Sequence, residues 1–367
     1  MKIKYIAETL LTNKSAYTHH VLKMCDAFSK KNDVCLIIPW KEKKINFLKI
    51  KKQFLFTSKK KFLIKDILKF KLSNFIYRIL FGFKVAKDIK KKHYDIIITR
   101  SIVSSFFLTV YKIKHFLEIH SELRGFSKFA MINLNFINSK YVLKVIFISK
   151  ALRKKFLIVD KENTLILHDA VDTKNFNYRI KSKRIKNVTY VGSFYKGKGI
   201  ELIIDIARNL RNLNFNLYGE LKKDIKNIPS NVKLHGYVDY REVTNVLNQS
   251  DILLLPSANF QLGRSSSVNI ANYNSPLKMF DYLASGKILV SSRLEGICEV
   301  LKHNYNSLLV KEHECRMWVK CLNDVLNNKY DLKKLRKNSI KTSYKFTWEK
   351  RINKIIEVHK KMKRTNY

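Results

Sequence analysis

Short apolar runs alternate with helical periodicities along this chain, and the alternation starts afresh halfway. In the first half the runs are IKYIA (3–7), DVCLIIP (33–39), YDIIIT (94–99), FLEIH (116–120) and VIFIS (145–149). Runs that are apolar at consecutive rather than alternate positions are strands buried on both faces, as in a parallel sheet covered by helices. Val21, Met24, Cys25 and Phe28 supply helical spacing in the first gap. The second half repeats the pattern with VTYVGS (188–193), FNLYG (215–219), VKLHGY (232–237), DILLLPS (251–257) and ILVSS (288–292). Between the first two of these, Ile203, Ile206, Ala207, Leu210 and Leu213 predict one continuous helical face. The expected fold class is α/β, with two doubly wound domains. A polar, basic, aperiodic stretch near 170–187 marks the break, giving domains over 1–170 and 171–345. The closing segment, 346–367, reads as an amphipathic helix with Trp348, Ile352, Ile355 and Ile356 on one face.

Composition narrows the classes. With 367 residues and 46% hydrophobic residues, the chain has enough material for two cores and is too apolar to be disordered. Its five cysteines form no C-x-x-C pair or zinc-finger spacing, so they read as buried thiols in a reducing compartment. No run approaches the ~18–20 apolar residues that span a bilayer, and MKIKYIAETL lacks a leader's apolar core, so a cytoplasmic protein is expected. The net charge of +44 points to anionic partners: nucleic acid, a membrane face or phosphorylated substrates. The excess concentrates in 41–92, where 17 Lys and one Arg face three acids, among Phe47, Phe54, Phe56, Phe62, Phe70, Phe75 and Phe81. Lysine clusters such as Lys43–Lys44 and Lys59–Lys61, set among aromatics, suit an anionic bilayer. A solvated charged face is the plain alternative. Aromatics among lysines also describe single-strand nucleic-acid platforms, but no RNA-recognition, KH or zinc-knuckle signature is present, so no specific nucleic acid is expected.

Two motifs could carry chemistry. VGSFYKGKG (191–199) ends a strand, turns through Gly192, Ser193, Gly197 and Gly199, and opens a helix near Ile200. Small residues let backbone approach an anion, the helix N-terminus offers free N–H groups, and Lys198 adds a full charge. A plain strand-to-helix turn has the same pattern. In SPLKMFDYLASGK (275–287), Ser275 predicts an N-cap, Pro276 and Leu277 the first helical positions, and Gly286 the end. Lys278 and Asp281 then share a face, either as an intrahelical pair or as a cation for a diphosphate and a carboxylate for ribose hydroxyls.

Together these motifs resemble retaining glycosyltransferase family 4, enzymes of the GT-B fold. Further matches follow in the family's order: VIFISKAL (145–152), LHDAVDTKNF (167–176), NLYGE (216–220), KLHGYV (233–238), SDILLLPS (250–257) and NSLLV (306–310). The resemblance implies two Rossmann-like domains facing a cleft, the last helix crossing back to the first domain. It implies transfer of a sugar from a UDP- or GDP-linked donor, with retained anomeric configuration, to a glycan or lipid-linked acceptor of cell-surface glycan synthesis. On that basis the donor residues are Gly192, Ser193, Lys198, Gly199, Ser275, Pro276, Leu277, Lys278 and Asp281, and His120 is the catalytic candidate. Ser15, Tyr17 and His19 stand in the first loop, where the family has a Gly-Gly pair near donor and acceptor. Ser193 replaces the family's frequent arginine, and Tyr273 stands where its first donor glutamate falls. Those departures leave a pseudoenzyme that binds nucleotide sugar without transfer as one alternative, and a basic nucleic-acid-binding protein as another. The chain has no Asp-x-Asp, so neither a metal nor a cofactor is expected, and cationic side chains would stabilise the leaving diphosphate.

Overall fold

The computed structural model describes residues 1–11, 15–40, 46–68, 74–123, 128, 133–176, 184–220, 225, 227–261, 269–311 and 313–365. The chain divides into two compact units. One comprises Met1–Ile148, Leu152–His168 and Trp348–Tyr367; the other comprises Ser149–Ala151 and Asp169–Thr347. The switch at His168/Asp169 precedes the polar stretch, of which 177–183 lie outside the described residues.

The first unit is built on strands β1 (Lys2–Ile6), β2 (Asp33–Ile38), β3 (Leu63–Asp66), β4 (Ile96–Thr99), β5 (His115–Ile119), β6 (Val142–Phe147) and β7 (Thr164–Ile166). They pair in parallel in the order β3-β2-β1-β4-β5-β6-β7. Ile6, Ile37 and Ile97 pack one sheet face against Phe81, Val85 and Leu108, from the helices Asn74–Lys90 and Ile102–Val110. The helix Ala16–Ser29 starts at Ser15, whose side chain accepts the Thr18 N–H. The last helix, Trp348–Thr365, completes this unit, with Trp348, Ile352 and Ile355 buried.

The second unit carries β8 (Asn187–Val191), β9 (Asn214–Tyr218), β10 (Val232–Leu234), β11 (Ile252–Leu255), β12 (Ile288–Ser292) and β13 (Leu308–Val310), in the parallel order β10-β9-β8-β11-β12-β13. Its sheet explains the continuous apolar runs. Ile252 and Leu254 enter the core beneath Ile203, Ile206 and Trp318, while Leu253 and Leu255 enter the opposite core with Met279, Phe280 and Leu283. In both sheets the strand order reverses, between β1 and β4 and between β8 and β11. In doubly wound sheets ligands bind beyond the carboxyl ends of the strands at such a point.

Three expectations change. The helical face over 203–213 is shorter: the helix is Ile200–Asn209, Leu210 leaves it with φ −123° and ψ 64°, and Leu213 is buried just ahead of β9. Pro276, not Ser275, takes the N-cap position of the helix Leu277–Ser285, because the buried Ser275 hydroxyl accepts the Asp169 N–H instead. Among the aromatics of 41–92, Phe54, Phe62 and Phe81 are buried, and Phe47 and Phe56 pack on Phe62, so most build core instead of facing a bilayer. Lys43, Lys44 and Phe70 lie outside the described residues.

Candidate functional site

The second unit places the glycine loop at its switch point. β8 ends at Val191, whose N–H is accepted by the Tyr282 hydroxyl at 2.8 Å. The same hydroxyl reaches the Val191 carbonyl at 3.3 Å, and the Tyr190 hydroxyl donates to the Ser193 carbonyl at 2.9 Å. Gly197 and Gly199 are demanded by space as well as by backbone: Gly197 has φ 84°, and a Cβ there would sit 2.0 Å from the Phe260 carbonyl oxygen. Gly199 has φ 77°, and a Cβ there would sit 1.9 Å from the Pro256 carbonyl oxygen just beyond β11. Gly192 has φ 151°, and its Cβ would sit 2.4 Å from Lys278 Nζ. The missing Cβ at Gly192 lets the backbone lie against the Lys278 ammonium.

Lys278 is the centre of this arrangement. Its buried Nζ has no hydrogen-bond partner among the described residues and lies 3.7 Å from the Tyr190 ring centroid. Burial, and then the charge of Lys198, hold the ammonium well below its usual range. Burial also brings Lys198, one residue before the helix's Gly199 cap, down to about 8. Two desolvated cations that repel each other, beside a helix N-terminus, make a place where an anion is stabilised from every side. Lys278 is therefore not half of an intrahelical pair. Asp281, one turn on and buried, instead accepts the Tyr240 hydroxyl at 3.1 Å. Pro276 and Leu277, both half-buried, carry the chain into this helix, and Ser193 turns the loop with its carbonyl held by Tyr190.

The first unit gathers its charge around Glu118 on β5. This buried carboxylate accepts from Arg351 Nη2 at 2.7 Å, His120 Nε2 at 2.5 Å and the Tyr5 hydroxyl at 3.0 Å, and His20 Nε2 lies 2.8 Å away. Burial alone would push the Glu118 carboxyl up, but His20, Arg351 and the hydrogen bonds of both histidines hold it well below the usual range. Arg351 also donates to the carbonyls of Leu167 and His168, so the last helix is tied to this cluster. Burial, then the charge of Arg100, bring His120 down to about 3, so it is a neutral imidazole at physiological pH.

Ser15 and Tyr17 lie where the helix Ala16–Ser29 opens. Arg100 stacks 4.0 Å over the Tyr17 ring, and burial pushes the Tyr17 hydroxyl up to about 12. His19 turns its ring to Phe54, whereas its neighbour His20 turns to His120 and Trp348. Residues 12–14 of this loop lie outside the described residues. Sequence reasoning missed Glu8, just past β1, which meets the Ser101 hydroxyl at 2.5 Å and Arg78 at 2.9 Å. It also missed Arg351, Tyr190, Tyr240 and Tyr282; only Glu118, two residues before His120 in FLEIH, was within sight of a signal.

Residues 185–328 match the family described as Glycosyl transferases group 1. An uncharacterized glycosyltransferase of Methanocaldococcus jannaschii is 22% identical over 254 residues, covering 64% of this chain and 66% of its own length, just under two thirds. An uncharacterized 41.2 kDa protein in the cps region of Klebsiella pneumoniae is 24% identical over 293 residues, covering 78% of this chain and 76% of its own. Among solved structures, Anabaena HepE in complex with UDP aligns over 100% of this chain and 99% of its own at a TM-score of 0.72 and 14% identity. That likeness shows a GT-B fold. The matched residues lie within the Asp169–Thr347 unit, and it is there that this chain is similar to the group 1 glycosyltransferases.

Proposed function

We propose that this chain transfers a sugar from a nucleoside-diphosphate sugar to a glycan or lipid-linked acceptor in the synthesis of a cell-surface polysaccharide or glycoconjugate. The observation that carries the reading is the buried, unpartnered Lys278 ammonium beside Lys198, in a loop cleared by Gly192 and Gly199. Lys198 and Lys278 hold the donor diphosphate, and Asp281, steadied by Tyr240, accepts from ribose hydroxyls. The UDP complex of HepE and the cps-region relative support the donor and the pathway class.

The chemistry needs no metal and no cofactor in this proposal. As the bond from the anomeric carbon to the diphosphate oxygen breaks, charge grows on the leaving oxygen, where the two ammonium groups stabilise it. The acceptor hydroxyl bonds to the anomeric carbon on the face the diphosphate leaves, its proton passes to the departing phosphate oxygen, and configuration is retained. His120, kept neutral by burial and oriented by Glu118, is the catalytic candidate of the first unit. Ser15, Tyr17 and His19 are assigned to the acceptor. The unit's cationic surface and the chain's five free cysteines fit work at the cytoplasmic face of an anionic membrane.

The test is thermal unfolding of the purified protein with UDP, GDP, ADP and CMP, followed by transfer assays with the sugar donors of the nucleotide that binds. A shift for one nucleotide, lost in Lys278→Met, with sugar transfer to a glycan or lipid acceptor, is the expected result. Binding without transfer from any donor would leave a nucleotide-sugar-binding pseudoenzyme, and no shift from any nucleotide would overturn the reading.

A further inference from the structure

The amino edge of the first sheet, opposite the edge that carries Glu8 and His120, encloses a cavity of about 470 Å³. Its apolar lining comes from Ile89, Ile97, Ile113, Leu143 and Met362. Around these stand Lys90, Lys92, Lys112, Lys114 and Lys363, with one acid, Asp95, already engaged by the Lys2 N–H at 2.8 Å and by Lys363 at 3.7 Å. Lys92, Lys112 and Lys114 are exposed and make no ion pair among the described residues. Into the same cavity the last helix turns His359, only 7% exposed, whose Nε2 has no hydrogen-bond partner among the described residues. A buried imidazole nitrogen without a partner costs free energy that a bound ligand could recover.

The surface beside the cavity is also unusual. Ile76, Leu80 and Phe83 follow helical spacing along Asn74–Lys90 and are 53%, 36% and 39% exposed, and Val110 is 55% exposed. Phe83 meets Tyr111, a cavity residue, with ring centroids 6.1 Å apart. An exposed apolar strip therefore runs up to a cavity with an apolar interior and a cationic rim.

We propose that this cavity binds the phosphate headgroup and upper acyl chain of an anionic phospholipid, seating the amino edge of the first unit on a bilayer. A bare phosphate would leave the apolar interior unused, and a base-stacking platform would need open ring faces, whereas Lys90 lies 5.4 Å over the Tyr111 ring. An amphiphile matches both parts: phosphate at the lysine rim and His359, acyl carbons against Ile97, Leu143 and Met362, and neighbouring lipid around Phe83 and Leu80. The site deepens the membrane-face reading above and is independent of sugar transfer.

The test uses the full chain with two lipid probes. The first is vesicle co-sedimentation on phosphatidylcholine alone and mixed with phosphatidylglycerol. Binding is expected only to the mixture, and Lys112→Glu with Lys114→Glu should weaken it at least about 30-fold, the equivalent of two lysines at on the order of 1 kcal/mol each. The charge-matched control, Lys333→Glu with Lys337→Glu on the second unit, should stay within about two-fold of the unaltered protein, since those side chains lie outside the site. The second probe is dihexanoyl phosphatidylglycerol below its micelle concentration, read by the NMR signal of the His359 ring and blocked by Met362→Trp. Anionic-vesicle binding without a His359 response, or equal loss in the control, would overturn the cavity assignment and leave the membrane reading standing. No binding to anionic vesicles would overturn both. An equal His359 response to inorganic phosphate would assign the site to free phosphate, and tighter binding to a single-stranded oligonucleotide than to vesicles would assign the surface to nucleic acid.

Discussion

The two units settle their buried charge in opposite ways. In the first, one carboxylate, Glu118, is surrounded by Arg351, His120, Tyr5 and His20, more partners than a single charge requires. In the second, two ammonium groups stand near each other, and among the described residues Lys278 has the face of the Tyr190 ring but no hydrogen-bond or ion-pair partner. A satisfied buried charge orders the groups around it, as Glu118 orients His120. An unsatisfied one costs stability until something arrives, which marks it as a binding group. The contrast separates positioning from binding without reference to any ligand.

The largest expected effects lie on this difference and have opposite signs. Glu118→Ala removes the centre of the first cluster and leaves Arg351 buried with no counter-charge, a loss of about 3–5 kcal/mol. Lys278→Met removes a desolvated cation that the face of the Tyr190 ring compensates only in part, and should raise the stability of the ligand-free protein by about 1–3 kcal/mol. Urea unfolding of both variants measures this, and a loss from both would break the comparison. Acid sharpens it. The Glu118 carboxyl is held well below its usual range, so its contribution is complete above the unfolded value of about 4.3 and fades as pH falls through the folded value. Glu118→Gln should flatten that acid limb.

Next in size is the ligand itself. A nucleoside diphosphate at about 100 times its Kd adds about 2.7 kcal/mol to the unaltered protein. Lys198→Met and Lys278→Met should each abolish most of that gain, although Lys278→Met begins from the more stable apo state. A calorimetric titration that finds unchanged affinity in both variants would remove the diphosphate from the lysine pair.

A third effect is a pair of slopes in pH. Lys198 is brought down to about 8, so an anion meets a full charge below that pH, and affinity should fall by up to about tenfold per unit above it. The ligand-free protein should move the other way. Between about 8 and the unfolded lysine value of about 10.4, the unfolded chain binds the extra proton, and stability rises with pH. Lys198→Met should reduce both slopes, and what remains belongs to Lys278, whose ammonium is likewise held below its usual range.

The same contrast explains what could be read from the sequence. ILVSS fills β12 residue for residue, and DILLLPS brackets β11, because strands buried on both faces leave uninterrupted apolar runs. Leu63–Asp66 went unread as β3 because Leu63 is 63% exposed and none of the four is buried, so the edge strand carries no apolar signal. The helix after the glycine loop was extended too far because Leu210 and Leu213 stay in phase with Ile206 while belonging to the turn and the approach to β9. Lys198, Lys278 and Asp281 stand out as candidates in the sequence because each sits close to a glycine or a proline. Glu118 and Arg351, 233 residues apart, share no local pattern, and only the folded first unit brings them together. The absence of a partner for Lys278 is likewise a property of packing, invisible in a string of residues.

The smallest effect concerns what holds the binding loop ready. Tyr282 lies within the helix of Lys278 and Asp281, and its hydroxyl takes the Val191 N–H and reaches the Val191 carbonyl, fixing the last residue before Gly192. Tyr282→Phe keeps the ring in its core and removes only that oxygen, leaving a buried N–H unsatisfied. The expected loss is about 1 kcal/mol of stability. If the hydroxyl merely supports the core, nucleotide affinity will not change beyond that. If it positions the loop, affinity for the diphosphate should fall several-fold while the pH slope assigned to Lys198 persists, because the cations remain and only their backbone cradle has loosened. Titration calorimetry across pH on this one variant distinguishes a loop that is pre-formed from one that the ligand must order, which is the difference between a charge awaiting its partner and a charge that has been given one.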